Sequence, residues 1–115
     1  MEVQLKIFSF FQFGIKIKHT EISYNGCDYA FGKFGLSASP SHIDKSLFGF
    51  WLERVIPLGT SNYDPDRFHD FVRSAVHRYN RDSYNLFWRN CRHFSVYLIR
   101  ELAPTDPEEG NFSKC

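Results

Sequence analysis

Two alternating runs of apolar and polar residues open the chain, and each predicts a strand. In EVQLKIFSFF, Val3, Leu5 and Ile7 share one parity with polar residues between them, until the alternation is lost at Phe8. Alternation of this kind is typical of a strand that buries one face. The N-terminal ten residues therefore predict a first strand.

The second run, GIKIKHTEISYNG, places Ile15, Ile17 and His19 on one face of a strand. It ends at Asn25 and Gly26, the dipeptide that two-residue hairpin turns prefer because both positions need a positive φ. We therefore interpret CDYAFGKFG, which follows directly, as the second arm of a hairpin.

The next two segments differ in character. Residues 36–50 are rich in Ser, Pro and Gly and predict a loop. WLERVIPLG then predicts a short strand that ends at Gly59. No internal repeat or low-complexity tract interrupts this pattern.

The clearest helical pattern covers residues 64–80. Asp64 suits the N-cap and Pro65 suits the first helical position. An apolar stripe with helical spacing follows, made of Phe68, Phe71, Val72, Ala75, Val76 and Tyr79. The opposite face is polar and holds Arg67, Arg73, His77 and Arg78.

A second helix is predicted from residue 90 to about 102. One face of it is apolar and consists of Cys91, Phe94, Leu98 and Leu102. Prolines at 104 and 107 end it, and residues 104–115 predict a flexible acidic tail. Strands followed by helices predict an α+β domain over residues 1–103, with an antiparallel sheet packed against helices.

Composition narrows the classes of function. A chain of 115 residues has the size of one domain, and 43% hydrophobic residues are enough for a core. The net charge of +1 does not favour nucleic acid as a partner, and no uncharged apolar stretch is long enough to predict a membrane span. Three cysteines do not form a disulfide framework, which favours a reducing compartment, the cytoplasm or nucleus.

Cys91 stands where a helix N-terminus can activate a thiol. Asn90 suits the N-cap, which puts Cys91 in the first turn, beside unpaired N–H groups and the positive end of the helix dipole. Both lower a thiol pKa, and the same N–H groups can hold the oxyanion of an acyl transfer. A lone cysteine on an apolar helix face is also a common core residue, so the residues alone leave a nucleophile and a buried filler both open.

Five histidines compete as the base for such a nucleophile: His19, His42, His69, His77 and His93. His93 is two positions from Cys91 on the same helix, where side chains do not face each other, so it suits a capping or supporting role better. His19 belongs to a predicted strand, 72 positions before Cys91 (91 − 19). A strand histidine that faces a helix-terminal cysteine makes a workable Cys–His pair.

A zinc site is the third interpretation of Cys91. The spacing from Cys91 to His93 does not match a zinc-finger half-site, and the sequence contains no CxxC pair. We therefore predict no metal and no cofactor. Cys27 and Cys115 are interpreted as inert or merely exposed thiols.

Several segments in order resemble the PPPDE family of thiol isopeptidases. KHTEISYNGCDYAFGKFGL resembles its His-Thr strand and hairpin, VIPLGTS its Leu-Gly-Thr segment, and YNLFWRNCRHFSVYLIREL its Asn-Cys-x-His-Phe-Ser block. The resemblance covers about residues 2–103. It implies a papain-like fold in permuted order, in which the catalytic histidine, His19, precedes the catalytic cysteine, Cys91.

The resemblance also implies an activity and its partners. Family members remove SUMO or ubiquitin from conjugates, and some are described as protein depalmitoylases, so ubiquitin-like protein conjugates are the expected substrates. The oligomeric state is left open, a homodimer included. No Asp or Asn stands out as a third catalytic member, so we predict a Cys–His dyad.

This sequence departs from the family pattern at two places, and two alternative functions stay open. Arg92 replaces the family's common Asn, and only FSFFQFG separates the first strand from the His-Thr strand. RNCRHF also resembles lecithin:retinol acyltransferase-like proteins, which would imply a lipid-directed thiol enzyme, although CDYAFG lacks the second histidine of that group. The other alternative is a module that binds a ubiquitin-like partner without cleaving it.

Overall fold

The computed structural model describes residues 1–84 and 90–104. Its five strands form one antiparallel sheet in the order β4-β3-β2-β1-β5. The strands are β1 (Glu2–Gln12), β2 (Ile15–Tyr24), β3 (Cys27–Gly32), β4 (Gly35–Pro40) and β5 (Trp51–Thr60). The α-helices are α1 (Pro65–Ser74) and α2 (Cys91–Leu102), and short 3₁₀ turns cover Lys45–Phe48 and Ala75–His77. The α+β architecture expected from the sequence is confirmed.

The loss of alternation at Phe8 coincides with a register shift. β1 continues to Gln12, and its pairing with β5 shifts between Ile7 and Phe8, as a β-bulge does. The extra residue, Glu53, lies on β5, whereas β1 pairs with β2 without a shift, so β1 itself keeps its alternation. Phe8 is buried on the face opposite Ile7, beside His19 and Lys45. The predicted hairpin is also confirmed, since Asn25 and Gly26 both have positive φ between β2 and β3.

The loop predicted for residues 36–50 is wrong in part. Gly35–Pro40 forms β4, which pairs with β3 along its whole length at the edge of the sheet. The small polar residues of this segment have weak strand propensity, and the hydrogen bonds that β3 offers outweigh it. The rest of the segment, 41–50, contains the Lys45–Phe48 turn, which Asp44 caps by accepting from the N–H of Ser46.

Both helices pack on one face of the sheet. The buried cluster joins strand residues such as Tyr24, Tyr29 and Phe31 to Phe68 of α1 and Phe94 of α2. Aromatic rings meet edge to face in this core, a favourable geometry for ring quadrupoles. The helix residues in this core, Phe68 and Phe94 among them, therefore lie on the apolar helix faces that the sequence predicted.

Val76 is an exception to the predicted stripe of the first helix. It is 47% exposed, whereas Ala75 and Tyr79 are buried. The α-helix ends at Ser74, and the 3₁₀ turn that follows changes the angle between successive side chains. The helical spacing assumed through residue 80 therefore does not hold beyond Ser74.

The sheet opens between β2 and β3, and this opening positions the candidate site. In the described part of the chain, β2 pairs with β3 only from Ile22 to Tyr24, while β3 stays paired with β4 as far as Gly32. The edge of β2 before Ile22 is thus free for another partner. The N-terminal turn of α2 fills that place.

The predicted tail, 104–115, lies outside the described residues apart from Pro104. Residues 85–89, in the segment before Asn90, also lie outside them. Neither of the described α-helices is long and apolar enough to cross a membrane.

Candidate active site

Cys91 is the first residue of α2, as the sequence predicted. The side chain of Asn90 accepts hydrogen bonds from the backbone N–H groups of Arg92, at 3.0 Å, and His93, at 3.3 Å. The His93 ring accepts in return from the N–H of Asn90 and completes a capping box. The capping role expected for His93 is confirmed, and Cys91 lies in the helix turn where the dipole favours negative charge.

The Cys91 thiol is buried between α2 and the free edge of β2. The backbone N–H of Thr20 donates to its Sγ at 3.5 Å. Burial by itself raises the pKa of this thiol, because it removes the thiolate from water. The hydrogen bond and the charge of His19, together with the Thr20 donor, outweigh burial and lower the pKa below that of an ordinary thiol.

His19 lies on β2, opposite Phe8 of β1, between two aromatic walls. The ring centroids of Phe8 and Phe50 lie 6.2 and 5.4 Å from that of the imidazole. Burial lowers the pKa of His19, but the hydrogen bonds and negative charges of Cys91 and Glu21 together raise it to about 9. The structure thus brings His19 and Cys91 together, with opposite shifts that favour a thiolate–imidazolium pair.

Glu21 is the site residue that the sequence analysis missed. Its Oε2 lies 2.9 Å from Nε2 of His19. Since Nε2 is held there, Nδ1 is the ring nitrogen left for Cys91. No Asp or Asn in the sequence marks a third member, but the spacing His19-x-Glu21 does, because residues two apart on a strand share a face.

Glu21 belongs to a buried charge cluster made of Lys6, Glu21, Asp28 and Lys45. Lys45 forms ion pairs with Glu21 and, at 3.1 Å, with Asp28, while Lys6 lies 2.9 Å from Asp28. Burial raises the pKa of Glu21, but the hydrogen bonds from His19 and Lys45 together lower it by more, so the net shift of this pKa is downward. The carboxyl group beside the imidazole is therefore ionised at neutral pH.

The other histidines do not reach Cys91 as a base. His69, on α1, lies 3.1 Å from the hydroxyl of Tyr29. His42 and His77 are exposed, the latter as predicted from the polar face of the first helix. Cys27 is a half-buried free thiol rather than an exposed one. Of the two cysteines that the structure describes, Cys91 is the one beside a histidine base.

A cavity of about 320 Å³ lies beside the two aromatic residues that flank His19, although neither His19 nor Cys91 lines it. It shares Phe8 and Phe50 with the walls of His19, and Lys45 with the charge cluster. Within residues 1–84 and 90–104, no group of three or more His, Cys, Asp and Glu side chains is arranged to hold a metal ion.

Comparison with protein families matches residues 3–108 to the family model described as "PPPDE putative peptidase domain". The chain belongs to this family. His19 and Cys91 both lie within the matched residues, as do the hairpin, β5 and both helices. The resemblance seen in the sequence is confirmed for the PPPDE domain as a whole.

Two curated relatives carry names that describe an activity or a group. A DeSI-like protein of Arabidopsis thaliana is 28% identical over 93 residues, which are 79% of this chain and 42% of that protein. A desumoylating isopeptidase 1 homolog of Caenorhabditis elegans is 31% identical over 97 residues, 84% of this chain and 28% of that protein. The PPPDE domain described here thus spans less than half the length of each of these relatives.

Proposed function

We propose that this PPPDE domain is a cysteine isopeptidase that hydrolyses conjugates of ubiquitin-like proteins through Cys91 and His19. One observation carries the proposal. Cys91, the first residue of α2, accepts at 3.5 Å from the N–H of Thr20, the residue next to His19, and the His19 imidazole lowers the pKa of its thiol. Core cysteines have no need of such a base, whereas thiol nucleophiles depend on one.

The type of substrate is proposed from the relatives and the chemistry. The name of the Caenorhabditis elegans relative supports a SUMO-like modifier, and the family name supports hydrolysis of an amide bond. The order of the pair, with histidine before cysteine, supports a permuted papain-like arrangement. A reactive thiolate also fits a reducing compartment, so we propose that the domain acts in the cytoplasm or nucleus.

The mechanism follows from the positions of the two groups. The Cys91 thiolate attacks the isopeptide carbonyl carbon, and the oxyanion that forms accepts a hydrogen bond from the backbone N–H of Cys91, the N–H of the first turn that the Asn90 cap does not use. The His19 imidazolium protonates the lysine amine as its bond to carbon breaks, which leaves an acyl-thioester on Cys91. His19 then takes a proton from a water molecule as its oxygen attacks the thioester carbonyl. Collapse of the second tetrahedral intermediate breaks the carbon–sulfur bond, which restores the Cys91 thiolate and releases the carboxylic acid, and this acid ionises in water.

Covalent probes test this proposal directly. SUMO and ubiquitin that end in a vinyl sulfone should add to Cys91, and mass spectrometry should locate the adduct. Cys91→Ala should abolish labelling and conjugate cleavage, and His19→Ala should reduce both at least about 100-fold. Cys27→Ala is the matched control and should keep both activities.

Two other outcomes distinguish the alternatives. Hydrolysis of a palmitoyl-thioester substrate, without labelling by either modifier, would show a lipid-directed thiol enzyme instead. Binding of a modifier without labelling or hydrolysis would show a non-catalytic module. Circular dichroism of each variant verifies that lost activity does not reflect a lost fold.

A further inference from the structure

The Glu21 carboxylate contacts the base of the proposed reaction, and none of the steps above uses it. We propose that Glu21 is a positioning residue that fixes His19 by its Nε2 atom, so that Nδ1 faces the Cys91 thiol. The inference rests on the proposed thiol hydrolase and adds a third member to its dyad. Glu21 acts through His19 and has no contact with the substrate carbonyl in this scheme.

The contact is built into the strand. His19 and Glu21 occupy the same face of β2, and their Nε2 and Oε2 atoms lie 2.9 Å apart. Glu21 is only 6% exposed, so water does not compete strongly for its oxygens. An ionised carboxylate only accepts, which requires the proton on Nε2 and leaves the Nδ1 lone pair free to take the thiol proton.

The net charge beside the His19 imidazole depends on the Glu21 carboxylate. Cys91 faces His19 from α2, and Glu21 from β2 itself. Lys45 of the 3₁₀ turn, Asp28 of β3 and Lys6 of β1 complete the cluster behind Glu21. The two carboxylates balance the two ammonium groups, so loss of the Glu21 charge would leave an excess positive charge beside the imidazole. That excess would disfavour the imidazolium and, with it, the thiolate.

Alkylation of Cys91 by iodoacetamide measures this effect without any substrate. The rate follows the thiolate fraction and is recorded from pH 4 to 10 for the Cys91 peptide by mass spectrometry. We expect the acid limb to move to higher pH in Glu21→Gln, with a roughly tenfold slower reaction at pH 6. Glu21→Asp, which keeps the charge, should recover part of this rate.

Glu53→Gln is the matched control, since it removes the same charge from a carboxylate that pairs with two solvent-exposed lysines, Lys16 and Lys18. Its profile should superpose on that of the unmutated chain. If Glu21→Gln also superposes while the unmutated Cys91 reacts fast at pH 6, the positioning role is wrong and the proposed function stands. If the unmutated Cys91 reacts no faster than free glutathione at pH 6, both proposals fall.

A measurement on the unmutated chain keeps the inference testable if the Glu21 variants do not fold. In long-range ¹H–¹⁵N spectra of histidine-labelled protein, His19 should carry a proton on Nε2 throughout neutral pH. An unprotonated Nε2 with the proton on Nδ1 would overturn the proposal, because two acceptors would then face each other across the His19–Glu21 contact.

Discussion

Thr20 and Cys91 are joined by a hydrogen bond, the strand N–H donating to the helix Sγ at 3.5 Å, although 71 positions separate them. The side chain of Thr20 makes a second link to α2, with its Oγ1 atom 2.9 Å from Oγ of Ser95. Cys91 and Ser95 are one helical turn apart, so both links hold the same face of α2. Thr20 thereby fixes the distance between the strand that carries His19 and the helix that carries Cys91.

The Thr20–Ser95 pair should be measurable by a double-mutant cycle. Ser95→Ala leaves the Thr20 hydroxyl without its partner in a largely buried place, and we expect a loss of about 1 kcal/mol in the free energy of unfolding. Thr20→Val should cost a similar amount alone and much less in the Ser95→Ala background, because the partner is already gone. Urea unfolding measures all four proteins, and strictly additive losses would contradict the link.

Asn90→Ala should affect both stability and reactivity. It removes the acceptor of two N–H groups at the start of α2, which should cost about 1 kcal/mol of stability. The first turn carries Cys91, so its alkylation rate at pH 6 should fall as well.

Asp64→Ala is the control for that variant, since Asp64 caps α1 in the same way and has no contact with the candidate site. It should cost similar stability and leave the alkylation of Cys91 unchanged. Equal loss of reactivity in both variants would mean that general loosening of the fold, and not the cap of α2, controls the thiol.

The sequence predicted α2 well because its signals are local. Its signals involve residues within one helix, where spacing alone determines which groups are in contact. They are Asn90 as the N-cap, the apolar face from Cys91 to Leu102 and the capping role of His93. β4 was missed for the opposite reason. Its strand state depends on pairing with β3, a tertiary contribution that the propensity of Gly35–Pro40 does not reveal.

In the candidate site, too, local relationships could be predicted from the sequence, whereas tertiary contacts could not. The partnership of His19 with Cys91 was inferred from family resemblance, because a pattern within one segment cannot report a contact across 72 positions (91 − 19). Glu21 was within reach of sequence reasoning, two residues from His19 on a predicted strand. What the sequence did not contain was the burial of that face under Lys45 and Phe50, which turns an ordinary surface carboxylate into a partner of the imidazole.

Cleavage should have a bell-shaped dependence on pH. On the acid side, activity requires the Cys91 thiolate, and its lowered pKa should place that limb below the range of an ordinary thiol. On the alkaline side, activity requires the proton on His19, so kcat/KM should fall as pH rises through about 9. A profile that only rises towards pH 9 and above would indicate an unpaired thiol.

His19 should also make stability depend on pH. The pKa of His19 is raised from 6.5 to about 9 on folding, so its contribution is fully present below about pH 6.5 and is lost as pH rises through about 9. We therefore expect the difference in unfolding free energy between the unmutated chain and His19→Gln to shrink between these values. Urea unfolding with reductant at pH 6, 7.5 and 9.5 measures it, and a constant difference would contradict the shift.

Asp28→Ala should be the most destabilising change in the charge cluster. Asp28 is 1% exposed, accepts from the Ser41 hydroxyl at 2.7 Å and pairs with both Lys6 and Lys45. Removing it leaves Glu21 as the one carboxylate in a cluster with two largely buried ammonium groups, and we expect a loss of about 3–5 kcal/mol by urea unfolding at neutral pH. Glu53→Ala also breaks two lysine pairs, but at the surface, where water replaces them, and it should change stability little. Similar losses of unfolding free energy in the two variants would mean that the contribution of the Asp28 ion pairs does not come from their burial.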